Sequence, residues 1–169
     1  FNAQGYKLSD ETEERVEQMI LSKTPMKIKT HGEIGKRYHG MRQMKKDYIH
    51  HLYSSIDCDL TGMRVLVDCA NGAASATAPQ LFGMLPLMAD FIHVTPDGIN
   101  INKSCGSTHL ESLSQGVVIG GYDLGIAFDG DADRCLLVDE KGYTIDGDKV
   151  LAVCAAGMKR KGKLSGNAI

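Results

Sequence analysis

Strands that alternate with helices across residues 57–128 predict an α/β domain, a mixed and mostly parallel sheet packed by helices. Two observations carry that reading. Arg64-Val65-Leu66-Val67-Asp68 and Leu124-Gly125-Ile126-Ala127-Phe128 are short apolar runs closed by polar turns, the pattern of buried strands. Cys135-Leu136-Leu137-Val138 and Tyr143-Thr144-Ile145 flank the turn Asp139-Glu140-Lys141-Gly142 and read as a hairpin, which adds an antiparallel edge. The domain is expected over 34–146, with 1–33 as the tail of a preceding domain plus a linker and 147–169 as the start of a following one.

Each element has a local cause. Ser9 is placed to cap a first helix whose opening turns carry Asp10, Glu11, Glu13 and Glu14, favourable at a helix N-terminus. Val16, Met19, Ile20 and Lys23 follow at helical spacing, and Pro25 should stop the helix. A long helix is expected over about 34–56, with Ile34, Tyr38, Met41, Tyr48, Leu52 and Ile56 as its apolar stripe, widened by Met44 and Ile49. Lys36, Arg37, Arg42, Lys45 and Lys46 form the opposite face, which reads as a solvated face before it reads as a phosphate contact. Asn71-Gly72 should turn the chain out of the first strand into a helix from about Ala73 to Leu85. A helix N-terminus can bind phosphate, but without a GxGxxG or GxxxxGK pattern the tight turn is the plainer reading.

Leu87–Val94 reads as the second strand, ended by Pro96-Asp97-Gly98. Thr108 and Glu111 make a T-x-x-E capping pattern that should open a helix near His109, with Leu110, Leu113 and Val117 inside and Gly120-Gly121 at its end. His109 there reads as a surface or capping residue. Asp148 should cap a last helix over about 149–160, with Val150, Leu151, Val153, Cys154 and Met158 inside.

Composition narrows the function. A formal net charge of −2 argues against a general nucleic-acid binder. No apolar run approaches the roughly 18 residues of a membrane helix. Five scattered cysteines without a CxxC pair favour free thiols in a reducing cytosol. The start at Phe1, and an ending at Asn167-Ala168-Ile169 that resembles the opening of a strand, suggest a piece of a longer enzyme.

The chemistry is concentrated in Asp129-Gly130-Asp131-Ala132-Asp133-Arg134, a loop between two strand-like runs. Only Gly130 and Ala132 separate the three carboxylates, so the backbone can fold tightly and turn all three inward. At about 4 Å and an effective dielectric near 20, each carboxylate pair repels by roughly 4 kcal/mol. A divalent cation removes that cost, and an all-oxygen donor set suits Mg²⁺. A solvated acidic turn and a calcium EF-hand are competing readings. Asp129, Asp131, Asp133 and Glu140 match EF-hand positions, but Arg134 stands where that loop needs Gly, and the flanks read as strands.

This loop resembles the metal-binding loop of the α-D-phosphohexomutases. Val67-Asp68-Cys69-Ala70-Asn71-Gly72-Ala73-Ala74 and Asn100-Ile101-Asn102-Lys103-Ser104-Cys105-Gly106-Ser107-Thr108-His109 sharpen the likeness toward the family's bacterial amino-sugar branch. The resemblance implies the second-domain fold of that family. It also implies a Mg²⁺-dependent isomerase that interconverts glucosamine 6-phosphate and glucosamine 1-phosphate through a phosphoserine and a bisphosphate. Asp129, Asp131 and Asp133 would hold the ion. Arg134 would lie beside the phosphate, unless it pairs with its own loop aspartates.

The resemblance also locates 1–33 at the end of a catalytic-serine domain, so the serine nucleophile is expected outside this chain and the chain alone is expected to be inactive. The partner is a phosphorylated hexosamine, with neither nucleic acid nor membrane, and a homodimer remains open. Phosphomannomutase or phosphoglucomutase action is the alternative within the family. An aspartyl phosphatase and a plain metal-binding module are the alternatives outside it.

Overall fold

The computed structural model describes residues 1–22, 28–36 and 40–164. The chain divides into two compact units, Phe1–His39 and Gly40–Ile169. In the first, helix α1 spans Asp10–Leu21, and the Ser9 hydroxyl accepts a hydrogen bond from the Thr12 N–H, as the acidic first turn led us to expect. No residue of α1 is buried. A single 3₁₀ turn follows at His31–Glu33. Pro25, Arg37 and Tyr38 lie outside the described residues.

The second unit holds a five-stranded sheet in the order β2-β1-β3-β4-β5. Strands β1 (Arg64–Asp68), β2 (Met88–Ile92) and β3 (Leu124–Phe128) are parallel. Strands β4 (Cys135–Asp139) and β5 (Thr144–Ile145) continue the sheet antiparallel. The mixed α/β architecture is therefore the one the alternating pattern predicts. Strand β1 is central and covered on both faces, which is why its sequence is a continuous apolar run. Val65, Val67 and Cys69 face one way and pack with Ala74 and Ala78. Leu66 faces the other way, toward Leu113, Val117, Ala127 and Val138.

The helices depart from the expected bounds in four places. Helix α2 spans Met41–Ser54 rather than starting near 34, because Ile34 has an extended backbone and Gly40 serves as the N-cap. Its inward residue is Ile49, 3% exposed, whereas Met41, Met44 and Tyr48 are all exposed. The buried face thus keeps the expected Ile49, Leu52 and Ile56, the last two half-buried, but toward the helix start takes in the half-buried Lys45 in place of Met41, Met44 and Tyr48. The helix expected over 73–85 is broken into a 3₁₀ turn, Ala73–Ala76, and a short α3, Ala78–Phe82. Pro79 explains the break: without an N–H it is tolerated only in the first turn of a helix.

Helix α4 spans Glu111–Gly120, and Thr108 does not cap it. Thr108 closes a 3₁₀ turn, and His109 leaves the helical path at φ −143°, ψ 85°. Gly121 ends α4 in the left-handed conformation, and Leu113 and Val117 are its buried residues, both as expected. Helix α5 spans Gly147–Arg160, and its cap is Asp146, not Asp148; the Asp146 carboxylate accepts from the Lys149 N–H. The apolar residues assigned to its inside are not buried: Leu151, Val153, Cys154 and Met158 are exposed.

Candidate metal centre

Strands β1, β2 and β3 run parallel, so the loops that leave their carboxyl ends gather at one edge of the sheet. Ligands in open α/β sheets bind at that edge. The acidic loop leaves β3 there, between β3 and β4. Strands flank it on both sides, which excludes the helix–loop–helix of an EF-hand.

Asp129, Asp131 and Asp133 each bring a carboxylate oxygen within 4.8 Å of the others. Asp129 is buried, and the other two are exposed. The left-handed backbone of Ala132, φ 62°, doubles the chain back inside the loop. Arg134 closes it: its N–H reaches Asp129 Oδ1 at 3.1 Å and its Nε reaches Asp129 Oδ2 at 3.0 Å. The same Nε stands 3.6 Å from Asp133 Oδ1. Arg134 is therefore paired with its own loop aspartates in this structure.

Burial pushes the Asp129 carboxyl up, but the two Arg134 hydrogen bonds outweigh it and leave the group at about 2. Asp133 moves the other way, raised by its hydrogen bond to Asp129 and by the charges of Asp131 and Asp129. An ionised, buried Asp129 with two exposed carboxylates beside it is a hard, all-oxygen donor set.

The wall behind the loop is built from the two other stretches that carried the resemblance. The Ala73 N–H donates to Gly130 O at 2.8 Å, and the Asn102 N–H donates to Ala70 O at 2.9 Å. A Cβ on Gly72 would overlap the Gly130 carbonyl oxygen, and one on Gly130 would stand 2.7 Å from Ile101 Cδ1. Glycine at both positions lets the Gly72 turn meet the acidic loop backbone to backbone and lets the Ile101 and Asn102 side chains close on Gly130. The turn at Asn71-Gly72 is thus a packing device, and the Ala73 N–H, being engaged by Gly130, is not free for a phosphate.

Beneath this wall is a cluster the site reading of the sequence missed. Asp68, wholly buried at the end of β1, accepts from the Ala70 N–H at 2.8 Å and from the Gly106 N–H at 2.9 Å. His93 and Cys105 converge on it, one ligand atom of each residue lying within 4.8 Å of the others. Burial, and then the Asp68 charge, raise the thiols of both Cys69 and Cys105, the former to about 12. The one signal in the sequence was an aspartate closing an otherwise apolar strand. The basic residues Arg42, Lys45 and Lys46 line a separate open groove of about 610 Å³ with Met41 and Gln80.

A parallel-to-antiparallel α/β sheet with an acidic loop at its carboxyl edge defines the class. Residues 46–142 match the model of phosphoglucomutase/phosphomannomutase α/β/α domain II, and the chain belongs to that family. Among its relatives are the phosphoglucosamine mutases of Acetivibrio thermocellus, 45% identical over 170 residues, and Caldicellulosiruptor saccharolyticus, 46% identical over 171. Each match covers 100% of this chain and 38% of the relative, so the chain spans about two fifths of the length of these mutases. A solved phosphoglucomutase/phosphomannomutase family protein from Burkholderia thailandensis superposes with a TM-score of 0.62 at 25% identity, covering 70% of this chain and 26% of that one. Among the described residues no helix is long and apolar enough to cross a membrane.

Proposed function

We propose that the chain is the metal-binding portion of a cytoplasmic phosphoglucosamine mutase, an isomerase that interconverts glucosamine 6-phosphate and glucosamine 1-phosphate. The observation that carries this is the convergence of Asp129, Asp131 and Asp133 on one strand-end loop, in a chain 45% identical to phosphoglucosamine mutases. The donor set fits Mg²⁺: three carboxylates, one of them buried and ionised and two exposed, all hard oxygen donors. Bound Mg²⁺ would neutralise the charge that phosphoryl transfer spreads over the equatorial oxygens.

The residues of this chain orient and balance charge. Asp129, Asp131 and Asp133 would hold the ion, with Asp129 oriented by the Arg134 N–H. Arg134 supplies the positive charge that keeps Asp129 ionised. Once its Nε leaves Asp129 Oδ2, its planar fork of donors can turn to the substrate phosphate. Gly72 and Gly130 keep the loop against a rigid wall, so the carboxylates are pre-arranged. The phosphoserine donor and the sugar contacts belong to other parts of the enzyme, so the chain alone is expected to show no turnover. Family membership favours this mutase over the aspartyl-phosphatase reading, which would need a threonine or valine where Asp133 stands.

Two measurements test the proposal. Mg²⁺ titration by calorimetry should show clearly weaker binding for Asp131→Asn than for the unmodified chain; equal affinity refutes the metal assignment. The enzyme carrying this chain should carry a phosphoserine by mass spectrometry and turn over glucosamine 6-phosphate with a higher kcat/KM than mannose or glucose 6-phosphate. A phosphoaspartate, or a reversed preference, overturns the reading.

A further inference from the structure

We propose that Asp68, His93 and Cys105 form a second metal site, distinct from the acidic loop and suited to a borderline-soft divalent cation of the Zn²⁺ class. One carboxylate oxygen, one imidazole nitrogen and one sulfur lie within 4.8 Å of each other. Asp68 and Cys105 are each 0% exposed. The mixture of oxygen, nitrogen and sulfur is the donor set of zinc sites, unlike the all-oxygen acidic loop.

The spacing between Asp68 and His93 is the strongest indication. His93 Nδ1 stands 3.0 Å from Asp68 Oδ2, yet it is buried and makes no hydrogen bond. With a proton on Nδ1, that proton is misaligned with the oxygen. Without one, two lone pairs face each other across a short gap. A cation between them resolves both cases: ligands about 2.0–2.1 Å from a tetrahedral centre stand about 3.3 Å apart, close to the distance observed. The His93 backbone there is left-handed, φ 52°, a conformation histidine adopts more readily than most residues with a side chain.

The surroundings support the ligands in the manner of an outer shell. A carboxylate has about four acceptor positions, so Asp68 can keep the Ala70 and Gly106 N–H groups and still bind an ion. Asn71 Nδ2 points at Cys105 Sγ from 3.9 Å, and such contacts orient ligands. Among the described residues, His93 is the one histidine, lysine or arginine side chain within 4.0 Å of the Asp68 carboxylate. Binding breaks the Cys105 S–H bond, forms a sulfur–metal bond and releases the proton to solvent. Thiolate and carboxylate then balance the +2 ion, the neutral imidazole adds a third bond, and water takes the fourth position. The His93 side chain, 29% exposed, is the way in. The ion would tie the ends of β1 and β2 to the loop ahead of Gly106, directly behind the acidic loop.

The test is titration of the metal-stripped chain with Co²⁺ alone, followed by Zn²⁺, with Cys58, Cys135 and Cys154 replaced by Ser to remove exposed thiols. A sulfur-to-cobalt charge-transfer band should grow to one ion per chain and vanish on adding Zn²⁺. Cys105→Ser should abolish it, His93→Asn should weaken Co²⁺ binding at least about tenfold, and Asp131→Asn should leave it unchanged. No band, or a band that survives Cys105→Ser, overturns the proposal. A second measurement does not depend on the folding of any variant. Zn²⁺ should clearly slow alkylation of Cys105 in the unmodified chain, read by mass spectrometry at each cysteine, because a metal-bound sulfur has its nucleophilic lone pair engaged; an unchanged rate also overturns it.

Discussion

Gly72→Ala should unlatch the acidic loop. The added Cβ overlaps the Gly130 carbonyl oxygen and lies 2.8 Å from both the carbonyl carbon and Cα of that residue. These are backbone atoms, so no side chain can swing aside. Gly130 itself is closely flanked, since a Cβ built on it would stand 2.7 Å from Ile101 Cδ1 and 2.8 Å from Asn102 Nδ2. The hydrogen bond from Ala73 N to Gly130 O, 2.8 Å, must then break. Overpacking of this kind costs about 1–3 kcal/mol, and the lost hydrogen bond adds about 1 kcal/mol. Reduced freedom of the unfolded chain returns about 0.5–1 kcal/mol. The net loss is roughly 1–3.5 kcal/mol, which at about 4 °C per kcal/mol for a unit of this size lowers Tm by roughly 4–14 °C. Thermal unfolding followed by circular dichroism measures it. Gly147→Ala is the control, since a Cβ there meets nothing within 4 Å. If Gly72→Ala melts within about 2 °C of the unmodified chain, the backbone contact between the two loops is not the restraint inferred here.

The remaining predictions concern protons and thiols. Asp129 is depressed to about 2, below its ordinary 3.8, so its stabilising contribution is complete above pH 3.8 and lost as pH falls through 2. Asp133, raised above 3.8, has the opposite sign: its cost is fully present at neutral pH, where it offsets part of the Asp129 contribution, and disappears as pH falls toward 3.8. Asp129→Asn should therefore flatten the fall of Tm between pH 4 and pH 2 measured without metal; an unchanged acid limb would contradict the pairing with Arg134. All five cysteines are free, and Cys69, buried and raised to about 12, should be the slowest to label in the native chain while Cys58 and Cys154 label fast. Timed alkylation with mass spectrometry checks this, and labelling of Cys69 at the rate of Cys58 would refute it.

What the sequence determined by itself is whatever depends on neighbours along the chain. The strands at 64–68 and 124–128 were legible because burial imposes a continuous apolar run, and that at 135–139 because a turn closes its apolar run. Gly121 at the end of α4 and the turn before Tyr143 were legible because backbone conformation there selects the residue type. The three aspartates were legible because they lie within five residues of chain. Helix boundaries were less so. Extended backbone at Ile34, the missing N–H of Pro79 and the turn at His109 overrode periodicity and capping patterns.

Tertiary structure alone decided what the acidic loop rests on. Asp68, His93 and Cys105 are 25 and 12 residues apart along the chain, and nothing local links them. They meet because parallel pairing of β1 with β2, and of β1 with β3, carries their loops to the same edge. The same pairing sets Gly72 against Gly130 and pairs Arg134 with the carboxylate beside which the sequence could only place it. Composition and spacing report which chemistry a loop can perform, while the wall that holds the loop in place depends on contacts between residues far apart in the chain.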